Sequence, residues 1–120
     1  LGVPSSSVEA LKPHVTILPT RTPINLNTAS AMVIFAAVPG INMGAAQKLV
    51  AGRAQSPLQK LSEASNMLGL ATDLLETDFS IYSQYFEVRG RLRLADWVVI
   101  EESLVQREGL SVTTVWRRRL

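Results

Sequence analysis

The spacing of apolar residues changes near Tyr85, and this change constrains the fold more than any other feature of the chain. Before it, apolar residues recur every three or four positions, as on one side of an α-helix. After it, they alternate with charged residues, as in a β-strand with one buried face. All six prolines also lie at or before Pro57. We therefore predict an α+β fold, with a helical part in residues 1–80 and antiparallel strands in residues 81–120.

The second part predicts a three-stranded antiparallel meander. Its strands are expected at residues 85–94, 96–108 and 110–120. The first strand should be half-buried, because its apolar side chains alternate with an arginine stripe, which consists of Arg89, Arg91 and Arg93. The third strand should carry three residues on one face, namely Val112, Thr114 and Trp116.

The first part opens with two predicted helices. Ser5–Leu11 suits a short helix with a serine cap. The second helix is apolar on every side, so we expect Ala29–Val38 to be surrounded by protein and to form the centre of the core. Asn27 or Thr28 is its expected N-cap, and Pro39-Gly40 ends it.

Two further helices are predicted. Asn42 is expected to cap a helix over Met43–Arg53. Ser56-Pro57 is expected to open the last helix, because the missing N–H of proline costs nothing in a first turn. Gly69 is expected to close it.

The chain lacks the residue sets of common enzymes. It has no cysteine and one histidine, and this residue, His14, has no recognisable catalytic partner in the sequence. Gly40 and Gly44 are not followed by the Gly-Lys-Ser/Thr of a phosphate loop. Glu101 and Glu102 are adjacent on a strand and point to opposite faces, so they form no acid–base pair. We therefore expect a protein that is not an enzyme.

One acidic cluster, formed by Asp73, Glu76 and Asp78, has two interpretations. Calcium takes about six to eight oxygen ligands, and three carboxylates supply some of them. These residues are therefore candidate calcium ligands. Acidic residues are also favoured at solvated helix ends, and the spacing matches no calcium-binding loop. We favour the solvated surface, so no cofactor is predicted and calcium stays the alternative.

The net charge of +2 is too small to predict a nucleic-acid partner by itself. The positive excess lies in the strands, in the arginine stripe and in Arg117-Arg118-Arg119. A basic face of this kind binds phosphates. Cross-strand ion pairs explain the same arginines without a ligand, and the acids available for them are Glu87, Glu101 and Glu102. We favour the ion pairs.

Residues 24–30 have the sequence Ile-Asn-Leu-Asn-Thr-Ala-Ser, and the apolar helix, Pro39-Gly40-Ile41 and a helix with Ala46 and Arg53 follow. This order resembles two families. One is the helix-hairpin-helix DNA-binding module of DNA uptake and repair. The other is the K-class minor pseudopilin of bacterial type II secretion systems. The residues that carry the motif are Asn25, Asn27, Thr28, Pro39 and Gly40. We expect both asparagines to be structural, bonded to backbone at the helix entry and not to a ligand.

The hairpin favours the pseudopilin. The DNA-binding hairpin resembles Gly-apolar-Gly and offers free backbone amides to a phosphate. Here Asn42 stands at the second glycine, and as a helix cap it occupies an amide that the phosphate would need. Only Lys48 and Arg53 add positive charge nearby.

The rest of the chain also favours the pseudopilin. Tyr85–Gly90, Ser103–Arg107 and the basic last strand are similar to the K class, so the resemblance covers most of residues 11–120. It implies the C-terminal portion of such a protein, in which a helix-hairpin-helix or SAM-like part precedes a pilin-type sheet.

The K-class resemblance implies a non-enzymatic subunit of the pseudopilus tip, which initiates assembly and supports protein secretion. Its partners would be the I- and J-class minor pseudopilins, with no nucleic acid. It would be the periplasmic domain of an inner-membrane protein in a Gram-negative bacterium, held in the membrane only through an N-terminal helix absent from this chain. Pseudopilins of this group are often calcium-dependent, but the resemblance does not map a calcium ligand onto Asp73, Glu76 or Asp78.

Overall fold

The computed structural model describes residues 2–120, in which helices come first and a three-stranded sheet comes last. The helices are α1 (Ser5–Leu11), α2 (Ala31–Ala37), α3 (Met43–Gln55) and α4 (Leu61–Met67). The strands are β1 (Ile24–Asn25), β2 (Phe79–Ser80), β3 (Tyr85–Leu94), β4 (Trp97–Glu108) and β5 (Ser111–Arg119). The prediction of an α+β fold is confirmed.

Two very short parallel strands close a helical unit, which we define as residues 24–81. In β1 and β2, Ile24 is paired with Phe79 and Asn25 with Ser80. The N–H of Leu26 donates to the carbonyl of Ser80 at 2.8 Å. The chain therefore enters and leaves this unit at one place. Sequence patterns did not predict this pairing, because two residues are too few for a periodic signal.

The core of the helical unit lies between α2, α3 and α4. Its buried apolar residues come from these helices, from β2 and from the connections between them: Leu26, Ile34, Val38, Ala46, Leu49, Leu58, Ala64, Leu68 and Phe79. Ile34 and Leu49 are fully buried, so α2 and α3 each contribute one large aliphatic side chain to the centre.

Two helix starts differ from the prediction. The N-cap of α2 is Ser30, whose hydroxyl accepts from the N–H of Val33 at 3.3 Å, and not Asn27 or Thr28. The helix α4 begins at Leu61 instead of Ser56-Pro57. The cause is a contact distant in sequence: the N–H of Leu58 donates to the side chain of Asn27, which holds the residues after Pro57 out of helical geometry.

Other helix ends follow the sequence. The bounds of α1 are those predicted, although Pro4 precedes it and no side chain caps it. Asn42 caps α3 as predicted. Gly69 follows α4 with a φ of +69°, a conformation that favours glycine and ends a helix.

The sheet has the order β3-β4-β5 and is antiparallel throughout. A bulge interrupts its second pairing, since Leu104 is opposite Trp116 whereas Val105 is opposite Thr114. Adjacent residues of β4 point to opposite faces. Thr114 and Trp116 therefore lie on opposite faces, and the prediction that Val112, Thr114 and Trp116 share one face is wrong.

The predicted burial of β3 is also wrong. Every residue of this strand except Tyr85 is exposed. In the three strands of the sheet, the buried residues are Ser103 and Leu104 of β4. Alternation identifies the strand, but burial needs a covering layer, and the described residues 2–120 do not cover β3.

The molecule is elongated, because its helices and its sheet pack mainly within themselves. Its radius of gyration is 17.6 Å, against about 14 Å for a compact chain of this length. Among the helices in residues 2–120, none has the length and apolar character to cross a bilayer.

Candidate functional site

Asn27 ties together three segments of the helical unit. Its side-chain N–H groups donate to the carbonyls of Leu58 at 3.0 Å and Ile81 at 3.2 Å. Its side-chain oxygen accepts from the N–H of Leu58 at 2.9 Å. One amide side chain thus holds the entry of the unit, the connection before α4 and the exit after β2.

Asn25 organises the turn that leads to α2. Its side-chain oxygen accepts from the N–H of Asn27 at 2.9 Å, and its side-chain N–H donates to the hydroxyl of Ser83 at 2.8 Å. Its carbonyl accepts from the N–H of Ala29 at 2.8 Å and from the hydroxyl of Thr28 at 3.5 Å. These bonds fold the chain sharply between β1 and α2, so the polar residues of the motif support the backbone.

Arg53 is a structural residue that the sequence interpretation missed. Its guanidinium Nη1 donates to the carbonyl of Leu26 at 2.7 Å and to that of Ala29 at 2.6 Å. Arg53 lies in the last turn of α3, and from there its side chain provides hydrogen-bond donors for two carbonyls of the entry turn. Of the two basic residues near the hairpin, Lys48 and Arg53, Arg53 therefore has its guanidinium directed at the turn carbonyls. The available signal was chemical, since half-buried turn carbonyls need donors.

The hairpin between α2 and α3 has one backbone amide at the start of α3 occupied, that of Ala45. Gly40 has a φ of +81° and turns the chain after Pro39. Asn42 then caps α3, with its side-chain oxygen accepting from the N–H of Ala45 at 2.8 Å. A phosphate that used the N–H of Ala45 would have to displace that bond. The geometry of the hairpin thus favours a packing role over phosphate binding.

The apolar surface of α2 differs most from the prediction. We call Met32, Val33, Phe35 and Ala36 the outer face of α2. Met32 is 71% exposed and Phe35 is 43% exposed, so the prediction that Ala29–Val38 is buried on nearly all sides is wrong. Within α2, only Ile34 is buried. Because α2 is apolar on every side, its sequence did not predict which side would face the core. The described residues cover one side of it.

Within residues 2–120, the three acidic residues are not brought together as one group of metal ligands. Asp78 binds the guanidinium of Arg21 at 2.7 Å, which uses its carboxylate in an ion pair. Asp73 and Glu76 do not complete a ligand set with it, since the described residues contain no group of three or more histidine, cysteine or acidic side chains placed to hold a metal ion. These residues therefore do not fit the calcium site considered above.

The arginines of the sheet fall into two groups. Arg117 binds Glu101 at 3.1 Å. Arg118 binds Glu102, with 2.8 Å between its Nε and a carboxylate oxygen, and its guanidinium lies 5.1 Å from the ring centre of Trp116. The arginine stripe on β3 forms no salt bridge within residues 2–120. Cross-strand ion pairs therefore explain Arg117 and Arg118 of β5 and leave Arg119 and the arginine stripe unexplained.

Comparison with known proteins gave one family match. Residues 24–81 match the family described as type II secretion system (T2SS), protein K. The matched range begins at the first residue of β1 and ends one residue after β2, so it coincides with the closed helical unit. A search of curated proteins found no match.

Proposed function

Because this chain belongs to the family of type II secretion system protein K, we propose that it is a structural subunit of the pseudopilus tip, bound there to the I- and J-class minor pseudopilins. Membership of the family makes it a minor pseudopilin, a structural component of protein secretion that interacts with other pseudopilus components. The tip position and the two partners are the proposal. The observation that carries it is the match over the whole helical unit.

The surface chemistry supports assembly with other proteins. The outer face of α2 and the exposed side chains of β3 present large apolar groups to solvent. Contiguous exposed apolar surface marks sites of protein association in soluble proteins. In the hairpin that would bind DNA phosphates, the side chain of Asn42 occupies the amide of Ala45, and the guanidinium of Arg53 donates to carbonyls of the entry turn. Both contacts weigh against the DNA-binding alternative.

The family also indicates the periplasmic side of the secretion system. We propose that this chain is the periplasmic domain of a protein anchored in the inner membrane. Protease protection in spheroplasts tests the location: the domain should be degraded when protease is added outside the inner membrane. Protection until detergent is added would contradict it.

The tip assignment is tested by assembly. The protein is mixed with soluble domains of the I- and J-class pseudopilins and analysed by size exclusion with light scattering. A ternary complex should form and should depend little on salt, because such interfaces rest on apolar burial and shape. A duplex DNA is titrated in parallel by fluorescence anisotropy.

The DNA titration tests the alternative, in which the chain is a DNA-binding module. Binding through about six phosphates would lose roughly a thousandfold in affinity between about 50 and 200 mM salt. Submicromolar DNA binding with this salt dependence, without a ternary complex, would contradict the tip assignment.

A further inference from the structure

The helical unit and the sheet are joined by a short connection, which consists of residues 82–84. It runs from the end of the helical unit at Ile81 to the start of β3 at Tyr85. Within residues 2–120, the helices and the three long strands do not form an extensive packed interface with each other. Two parts of a chain that lack a large apolar interface are expected to move relative to each other. The hydrogen bonds at this connection indicate the opposite.

Two neighbouring residues of the connection are held from opposite sides. The hydroxyl of Ser83 accepts from the side-chain N–H of Asn25, in the helical unit, at 2.8 Å. The carbonyl of Gln84 accepts from the N–H of Arg107, in β4, at 2.7 Å. Because Ser83 is bonded to the helical unit and the next residue is bonded to the sheet, almost no unrestrained chain is left between the two parts.

The segment that precedes the helical unit, which we define as residues 15–23, is bonded to the start of β3. The hydroxyl of Thr20 lies 3.2 Å from the hydroxyl of Tyr85. The hydroxyl of Thr16 donates to the carboxylate of Glu87 at 2.8 Å. This preceding segment therefore forms a second link to the sheet, beside the covalent one.

The preceding segment is also bonded to the helical unit. The guanidinium of Arg21 binds the carboxylate of Asp78 at 2.7 Å, and the N–H of Ile24 donates to the carbonyl of Asp78 at 2.9 Å. Pro19 and Pro23 lie on either side of Arg21, and each fixes its own φ near about −65°. The second link is therefore stiff as well as bonded at both ends.

We propose that the helical unit and the sheet form one rigid body, held at this junction by side-chain hydrogen bonds in place of a packed interface. The bond from Asn25 to Ser83 is its centre, because it is part-buried whereas the bonds of Thr16, Thr20 and Arg21 are exposed. An exposed contact is weak by itself, but these contacts restrain the same short connection together. A partner that binds both parts would then lose little conformational entropy at the junction.

The test measures distances between the two parts in the whole chain. The chain has no cysteine, so two introduced cysteines carry the only spin labels. The junction pair is Gln47→Cys, exposed on α3, and Val98→Cys, exposed on β4 at the end of the sheet away from the helical unit. The reference pair is Val98→Cys and Thr113→Cys, which lie roughly 25 Å apart along the strands of the sheet. Pulsed electron paramagnetic resonance gives the distance distribution of each pair.

The junction variant combines Ser83→Ala, Tyr85→Phe and Arg21→Ala, each of which removes one contact. Ser62→Ala, at an exposed serine of α4, is the matched control. Without the substitutions, the junction pair should give one distribution about as narrow as that of the reference pair. The junction variant should widen it at least about twofold and leave the reference pair unchanged, whereas Ser62→Ala should change neither. Far-UV circular dichroism shows whether the variants are folded.

Three results would overturn the proposal. A junction distribution more than about twice as wide as the reference, without any of these substitutions, would show a flexible hinge. An unchanged distribution in the folded junction variant would show that other contacts hold the two parts. Equal widening by Ser62→Ala would show that the effect is not specific to the junction.

If the combined variant does not fold, Ser83→Ala alone decides the question. It removes one hydrogen bond at a residue outside both the helical unit and β3, and it should still widen the distribution of the junction pair. An unchanged distribution in this variant would also overturn the proposal. The proposal rests on contacts within the chain and uses neither the I- and J-class proteins nor DNA, so it and the tip assignment fail independently.

Discussion

The helical unit and the three-stranded sheet are stabilised in different ways. Of the ten buried apolar residues within residues 2–120, nine form the core of the helical unit, and Leu104 alone lies in the sheet. The sheet has long, regular ladders instead: β3 and β4 pair from Tyr85–Gln106 to Leu94–Trp97. One part is closed by burial, and the other is ordered by backbone hydrogen bonds.

This difference indicates which part can stand alone. Apolar burial is the dominant favourable contribution to folding. A backbone hydrogen bond within the protein replaces hydrogen bonds to water, so its net contribution to stability is only about 1 kcal/mol. A sheet of three strands becomes independently stable when one face is covered. The helical unit is therefore stabilised by its own core, and the stability of the sheet should increase when its exposed face is covered.

The largest expected effect compares two leucines. Leu49→Ala should lower the free energy of unfolding by about 2–5 kcal/mol, because Leu49 is fully buried in the helical unit and its removal leaves a cavity. Leu94→Ala, at a position 74% exposed in the sheet, should cost less than about 0.5 kcal/mol. Urea unfolding followed by circular dichroism measures both. Similar losses in the two variants would show that the sheet has a packed core of its own.

The next effect concerns the polar centre of the helical unit. Asn27→Asp keeps the shape of the side chain but replaces its NH2 group, which donates twice, with a carboxylate oxygen that faces the carbonyls of Leu58 and Ile81. We expect a loss of about 2–3 kcal/mol, the cost of leaving such groups unpaired. Asn66→Asp, at an exposed position of α4, is the matched control and should change stability by less than about 0.5 kcal/mol. Equal losses would mean that charge alone, and not the hydrogen bonds, decides the result.

Local signals predicted the elements well where the cause of the structure is local. The alternation in residues 85–94 predicted β3 with its bounds, and the patterns after it predicted β4 and β5 within one or two residues. What covers a strand is not local. The same alternation predicted a half-buried β3, and the bulge opposite Leu104 and Val105 had no signal in the strand pattern.

In the candidate site, too, contacts between residues close in sequence were predicted and contacts between distant residues were not. Asn42 was identified as a cap because its chemistry acts three residues away. The bonds from Asn27 to Leu58 and Ile81, and from Arg53 to Leu26 and Ala29, join residues far apart in sequence. The sequence of an apolar helix with no polar side also does not indicate which side is buried. The exposed outer face of α2 was therefore not predictable from composition.

A smaller effect is expected at the hairpin cap. Asn42→Ala removes the acceptor for the N–H of Ala45 and should cost about 1 kcal/mol, whereas Asn42→Gly should cost only a few tenths. Thermal unfolding of both variants separates the two values. Equal losses would show that the side-chain bond, which both variants lack, and not the backbone preference of residue 42, stabilises the start of α3. The glycine variant also frees the amide, so any gain in duplex DNA affinity would measure how far Asn42 keeps phosphates away.

The smallest expected effect lies on the outer face of α2, where the helical unit resembles the sheet. Phe35 is 43% exposed, so Phe35→Ala should lower the free energy of unfolding by less than about 1 kcal/mol, well below the roughly 3–5 kcal/mol of a buried phenylalanine. Its neighbour Ile34 is fully buried, and Ile34→Ala should cost at least about 2 kcal/mol in the same urea titration. The two changes lie one residue apart on the same helix, so helix propensity hardly distinguishes them. A loss of 3 kcal/mol or more for Phe35→Ala, where the burial of this side chain predicts about 1, would show that the outer face of α2 is covered in solution. The contrast between a closed helical unit and an open sheet would then be sharper than the exposed residues of α2 suggest.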